Sequence, residues 1–187
     1  MKKLGYHGWE AEHTATTSSK YAADNPVYST PCRALALGKG CSLLGTCEWR
    51  VEDSGCLVIR PLHGLSSGRF APWISGQAPW ASKVAGITSV FIGEGTVSPL
   101  AARNLLDGLR SLESVDISGL DMSGAVLATG MFGNCKSLQT VRFGQGQQLA
   151  LDALLAEQGS RKWRDADSGA LYRAGDLLPA AGGLTLS

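Results

Sequence analysis

Apolar positions recur with a long fixed period through the middle of this chain. Leu105-Leu106-Asp107-Gly108-Leu109-Arg110-Ser111-Leu112-Glu113-Ser114-Val115-Asp116-Ile117 aligns with Met131-Phe132-Gly133-Asn134-Cys135-Lys136-Ser137-Leu138-Gln139-Thr140-Val141-Arg142-Phe143 at an offset of 26 (105 to 131). Every apolar residue of the first segment meets an apolar residue of the second. A third copy of the latter half, Ile87-Thr88-Ser89-Val90-Phe91-Ile92, stands 25 residues before Leu112 (87 to 112). The shared pattern, apolar-x-x-apolar-x-apolar, predicts one short strand per copy, and no copy can bury its apolar face alone. Stacking the copies predicts a parallel sheet with strands ~4.8 Å apart. Three columns then point inward: Ile87, Leu112 and Leu138; Val90, Val115 and Val141; Ile92, Ile117 and Phe143. The return segments place Leu106 and Phe132 on the opposite wall. Leu109 and Cys135 share a position there, so Cys135 is read as a small buried hydrophobe rather than a reactive thiol.

A period of 25–26 residues with this strand pattern is the signature of a leucine-rich repeat. Around the repeats the patterning changes. Trp49-Arg50-Val51 and Cys56-Leu57-Val58-Ile59-Arg60 flank Glu52-Asp53-Ser54-Gly55, which predicts a hairpin, and Pro61 ends its second strand. Pro72, Pro79, Trp73 and Trp80 break residues 62–82 into a loop. Residues 1–44 carry no apolar period and are expected to form a poorly ordered tail, a linker or part of a neighbouring domain. Residues 149–158, with leucine at 151, 154 and 155, predict a short helix. Trp163, the turn Asp167-Ser168-Gly169, Leu171-Tyr172 and Leu184-Thr185-Leu186 predict a small β-rich cap, of the kind that ends a repeat array. The expected organisation is a tail over 1–44 and a repeat domain over 45–187. Within the latter fall the hairpin (45–61), the repeats (83–146) and the C-terminal cap (147–187).

Composition narrows the function. Of the 187 residues, 17 are basic and 16 acidic, a net charge of +1 that weighs against a nucleic-acid partner. Charged residues make up 18% against a typical ~25%. No stretch approaches the ~20 apolar residues of a membrane span, and no membrane insertion is expected. Lys2-Lys3-Leu4 is followed by Gly5-Tyr6-His7-Gly8 rather than an apolar run, so no export signal is read. Four of the five cysteines (Cys32, Cys41, Cys47, Cys56) fall close together at spacings of 9, 6 and 9 without a C-x-x-C. That disfavours a zinc knuckle and leaves disulfide pairing open.

Several segments together resemble the BspA-type leucine-rich-repeat surface proteins of bacteria. Gly45-Thr46-Cys47-Glu48-Trp49 with Gly55-Cys56-Leu57-Val58-Ile59-Arg60-Pro61 is similar to that family's N-terminal hairpin, and Pro79-Trp80 before Ile87 to its next landmark. Val115-Asp116-Ile117-Ser118-Gly119-Leu120-Asp121-Met122-Ser123 and Met131-Phe132-Gly133-Asn134-Cys135-Lys136-Ser137-Leu138 look like its repeat core, and residues 163–172 like its closing segment. The departures are a small number of copies and an exit of the middle repeat interrupted by residues 125–129. The resemblance implies an α/β solenoid: a short, BspA-type parallel β solenoid of about three rungs with an N-terminal β-hairpin and a small C-terminal cap. It also implies an extracellular or cell-surface, non-catalytic adhesion module whose partner is a protein or glycan on a host or bacterial surface. The alternative is a structural spacer or cap of a longer repeat protein.

Catalytic chemistry finds little footing. Gly64-Leu65-Ser66-Ser67-Gly68 matches G-x-S-x-G, the remote hydrolase reading, but Arg69-Phe70-Ala71-Pro72 follows where a nucleophile elbow needs a helix. His63 is the only histidine outside the tail, and no acid–base pair forms around it. Asp165-Ala166-Asp167-Ser168-Gly169 lacks the third acid and closing glutamate of a calcium loop and reads as a turn. No catalytic residue, metal or cofactor is expected. The outward strand face remains as the candidate binding surface. Its columns are Thr88, Glu113 and Gln139; Ser89, Ser114 and Thr140; Phe91, Asp116 and Arg142. The contact residues read from it are Phe91, Glu113, Asp116, Gln139 and Arg142, with the loop tryptophans Trp73 and Trp80 as further candidates.

Overall fold

The structure, a computed structural model, describes residues 42–70, 77–158, 161–173, 175–179 and 181–186. Its frame is a nine-stranded mixed sheet. In chain order the strands are β1 (Ser42–Leu44), β2 (Cys47–Val51), β3 (Cys56–Pro61), β5 (Ser89–Ile92), β7 (Ser114–Asp116), β9 (Thr140–Phe143), β10 (Trp163–Asp165), β11 (Leu171–Tyr172) and β12 (Gly182–Leu186). A second, three-stranded sheet is formed by β4 (Gly68–Arg69), β6 (Thr96–Val97) and β8 (Leu120–Asp121). The large sheet runs β1-β2-β3-β5-β7-β9-β12-β10-β11, and the small one β4-β6-β8. One α-helix, α1 (Gln148–Glu157), and a 3-10 helix, Ala81–Gly86, are the helical elements among the described residues.

The register in the centre of the large sheet is the one the repeat demands. Val90 pairs with Val115 and Val115 with Val141, all in parallel. The three inward columns are fully or almost fully buried. Swapping the register by one residue would turn every one of these side chains to solvent, so the apolar pattern itself holds the strands in place. The return segments form the opposite wall, where Leu105, Leu106, Leu109, Met131, Phe132 and Cys135 are buried. Their backbones are laddered: the N–H groups of Asn104, Leu106 and Gly108 donate to the carbonyls of Thr129, Met131 and Gly133. The same offset of 26 relates the left-handed residues of this wall. Asn104 (φ 56°) matches Gly130 (φ 77°), and Gly108 (φ 82°) matches Asn134 (φ 59°). Asparagine and glycine are the residues that tolerate this conformation, which is why they exchange here and nowhere else in the repeat.

Three expectations are corrected. The hairpin strand β3 is not separate from the repeats: it pairs in parallel with β5, Leu57 against Val90 and Ile59 against Ile92, so four parallel strands stack rather than three. Ser42–Leu44, placed in the tail, pair with β2 as β1, so the described sheet includes the three residues before position 45. The rest of the tail, with Cys32 and Cys41, lies outside the described residues. The loop over 62–82 also contains a strand, because β4 joins β6 in the small sheet. Cys47 and Cys56 stand at opposite ends of the β2–β3 hairpin, about 17 Å apart at ~3.4 Å per residue, and cannot pair with each other. Both are free thiols, as is Cys135.

At the C-terminal side the ladder is closed. Leucines 151, 154 and 155 of α1 face the core as their spacing requires. By analogy with Asn104 and Leu106, the N–H groups of Gly130 and Phe132 would donate to the carbonyls of a further repeat. They donate instead to the carboxylate of Glu157 at the end of α1, Phe132 at 2.9 Å. On the strand side, Arg161 donates to the Leu138 carbonyl (2.7 Å) and the Leu186 N–H to the Gln139 carbonyl (2.7 Å). β12 covers β9 in antiparallel pairing, Leu184 against Val141. Removing the Glu157 carboxylate strands two backbone donors at once. Glu157→Ala is therefore expected to cost about 1–3 kcal/mol, read as an earlier midpoint in urea unfolding. Glu157→Gln, with one acceptor instead of two, should lie between the variant and the native protein.

Candidate binding groove

The outward residues of the sheet fall in two rows set by strand pairing. One row is Cys56, Ser89, Ser114, Thr140 and Thr185; the other is Val58, Phe91, Asp116, Arg142 and Gly183. Over β7, β9 and β12 these rows lie at the bottom of an open groove of about 670 Å³. Its floor is made by Ser114, Asp116, Thr140, Arg142, Gly183 and Thr185, and one wall by Ala166 and Asp167. The bottom of the groove dips at Gly183, which has no side chain beside Arg142.

Within the groove Arg142 Nε lies 3.9 Å from Asp116 Oδ2, with the Arg142 side chain 74% exposed. A solvated pair at that distance contributes less than ~1 kcal/mol, so it is not what holds the strands together. Asp116 is oriented by its other oxygen, which accepts from the Ser118 N–H (2.9 Å) and hydroxyl (2.6 Å). That leaves Arg142 with guanidinium donors facing solvent and Asp116 with an acceptor beside them.

The wall is fixed by a second aspartate. Asp165 Oδ1 accepts from the N–H groups of Asp167 (3.2 Å) and Ser168 (2.6 Å) and from the Ser168 hydroxyl (2.7 Å). This is the turn read at 165–169, between two antiparallel strands. The Ser168 hydroxyl and N–H hold the Asp165 carboxyl below the ordinary carboxylate range. With the folded pKa below the unfolded one, the contribution of this turn is intact above the unfolded value of ~3.9 and is lost as pH falls through the folded value. The stability difference between the native protein and Asp165→Asn is therefore expected to be constant above about pH 5 and to close below about pH 4, measured by thermal unfolding across that range.

The residues read from the sequence part company here. Asp116 and Arg142 line the groove, and Phe91, 44% exposed, stands at its rim one strand from Asp116. Glu113 and Gln139 are exposed beside it, outside the lining. Trp73 lies outside the described residues. Trp80 is a correction: it is fully buried and packs edge-on to Trp49, ring centroids 5.7 Å apart at 73°. An indole that size beside a second one gains more from burial against the hairpin than from facing water, so it is core and not a contact. Gly183, Thr185 and Asp167 were not read as contacts, since they reach the groove only because β12 returns antiparallel to β9 and β10 pairs with β12 in turn.

Other chemistry is remote from the groove. Ser66 is exposed and leads into strand β4, not a helix. Burial holds the His63 pKa below the ordinary imidazole value. Burial likewise pushes the Cys135 thiol up to about 12, and it donates to the Leu106 carbonyl at 3.2 Å, which is no nucleophile's environment. Among the described residues no group of three or more His, Cys, Asp or Glu side chains is placed to hold a metal ion, and no helix is long and apolar enough to cross a membrane.

No family model matches this chain, and no curated protein matches it. Among solved structures, a leucine-rich repeat protein from Eubacterium ventriosum is similar at 18% identity with a TM-score of 0.39, over 51% of this chain and 23% of that one. The chain thus spans less than a quarter of that protein's length.

Proposed function

We propose that this chain is a short leucine-rich-repeat-like solenoid of the BspA type, acting as a non-catalytic binding module displayed at a bacterial surface. The observation that carries the reading is the groove on the stacked strands, which gathers Asp116 and Arg142 from adjacent repeats under a wall supplied by the turn between β10 and β11. Repeat sheets bind through such extended faces, by complementarity and not by chemistry on the ligand. A macromolecule on a host or neighbouring bacterial surface is the partner class. A spacer within a longer array would leave the outer edge of β9 open to another parallel strand, whereas β12 occupies that edge. The test is a binding screen of the protein against extracellular-matrix proteins, mucins and bacterial cell-wall glycans, repeated with a Phe91→Ala, Arg142→Ala double variant. Saturable binding that the double variant loses supports the module and its face. A folded protein that binds none of the panel refutes it.

A further inference from the structure

Resting on that reading, the lining of the groove points to a narrower class of ligand. We infer that the groove takes an uncharged, polyhydroxylated chain: a neutral oligosaccharide. Four observations converge on it. The ionised groups of the lining are Asp116, Asp167 and Arg142, one cation against two anions, a field that repels phosphate and sulfate chains. The floor carries three hydroxyls in register, Ser114, Thr140 and Thr185; the first two can both donate and accept, and Thr185, which donates to the Arg164 carbonyl at 3.4 Å, keeps its oxygen as an acceptor. That is the two-way hydrogen bonding that a row of sugar hydroxyls requires. Beside them Arg142 offers donors only and Asp116 acceptors only, a pair that two neighbouring hydroxyls of one sugar ring can bridge. Phe91 at the rim presents an exposed aromatic ring on which the C–H face of a sugar can lie.

An extended peptide is less well served. Peptides that bind sheets in the strand-addition mode use a free edge, where main-chain donors and acceptors are unpaired. The groove lies over the face of the sheet, and the β9 edge beneath it is already paired with β12. The peptide's amides would find only side chains.

Gly183 supplies a clean block. A Cβ added there has its nearest neighbours at 3.6 Å (Ala166 Cβ) and 3.8 Å (Val141 O), ordinary contact distances. The Cβ is thus accommodated, and valine suits a strand, so Gly183→Val is expected to keep the strand and to raise the groove floor beside Arg142. The experiment titrates the full chain by calorimetry with cellohexaose, laminarihexaose, maltohexaose and chitohexaose, with a heparin hexasaccharide as the polyanion, and compares native mucin with the same mucin stripped of its glycans. Saturable binding of a neutral hexasaccharide is expected, weakened about tenfold or more by both Gly183→Val and Arg142→Ala with the melting temperature of Gly183→Val unchanged or raised. Binding of heparin alone overturns the inference, as does neutral-sugar binding that Gly183→Val leaves intact. Arg142-dependent binding to stripped mucin or to a matrix protein, with no neutral hexasaccharide bound, overturns the sugar but keeps the binding module. Absence of binding to every probe overturns both.

Discussion

Leu112→Asp and Leu138→Asp should each abolish the cooperative unfolding transition of this protein. Both leucines are completely buried and occupy one column of the stack, with Ile87 before them. Truncating such a side chain costs about 2–5 kcal/mol by itself. A carboxylate in its place adds the cost of an unpaired charge in the core or, if it takes up a proton, of an unsatisfied hydroxyl, several kcal/mol more. The sum rivals the whole stability of a domain this size, roughly 5–15 kcal/mol. Glu113→Ala is the matched control: it is the next residue, exposed on the opposite face, and should shift stability by no more than about 0.5 kcal/mol. Circular dichroism and urea titration of the three variants read the result. A native-like transition for either aspartate variant would show that the columns do not stack in this register.

That register was legible in the sequence for a physical reason. Stacked parallel strands place equivalent residues side by side, so each core column repeats at the chain's own period, and Val90, Val115 and Val141 declare one another. The apolar residues of the return wall were legible on the same ground; the matching of Asn104 with Gly130 and of Gly108 with Asn134 emerges only from the backbone, which sets the choice there. The fourth parallel strand was missed because β3 keeps only half of the pattern: Leu57 and Ile59 match Val90 and Ile92, but the turn at Ser54 and Gly55 replaces the leading apolar residue. The small sheet was missed because strands of two residues are too short to show any period. The groove was half legible. Asp116 and Arg142 lie on repeating strands, so their neighbourhood follows from the alignment. Gly183 and Thr185 belong to the non-repeating strand β12 and Asp167 to the turn between β10 and β11, and no periodicity links these to β9. Trp80 misled because Pro79 before it, with Pro72 nearby, describes the backbone as a loop, and a loop backbone can still carry its side chain into the core.

Gly119→Ala should destabilise the protein markedly, although it adds a single methyl group. The residue sits at the corner between β7 and β8, where the chain turns from the large sheet to the small one. A Cβ there would lie 2.5 Å from the Glu94 nitrogen and the Gly93 carbonyl carbon and 2.6 Å from the Ile92 oxygen. All three are backbone atoms of the preceding layer, so no side chain can swing aside. Relief requires prising two stacked layers apart, against the parallel pairs of β5 with β7 on one side and β6 with β8 on the other. Overpacking of this kind costs about 3 kcal/mol. Gly124→Ala, where a Cβ meets nothing within 4 Å, should be close to neutral and serves as the control. The corner also bears on binding. Ser118, one residue before Gly119, holds Asp116 by two hydrogen bonds. Any Gly119→Ala protein that still folds should therefore bind its ligand more weakly than its residual stability accounts for, because the acceptor beside Arg142 has moved. Equal stability and equal binding in Gly119→Ala and Gly124→Ala would mean that the layers are not in contact at this corner.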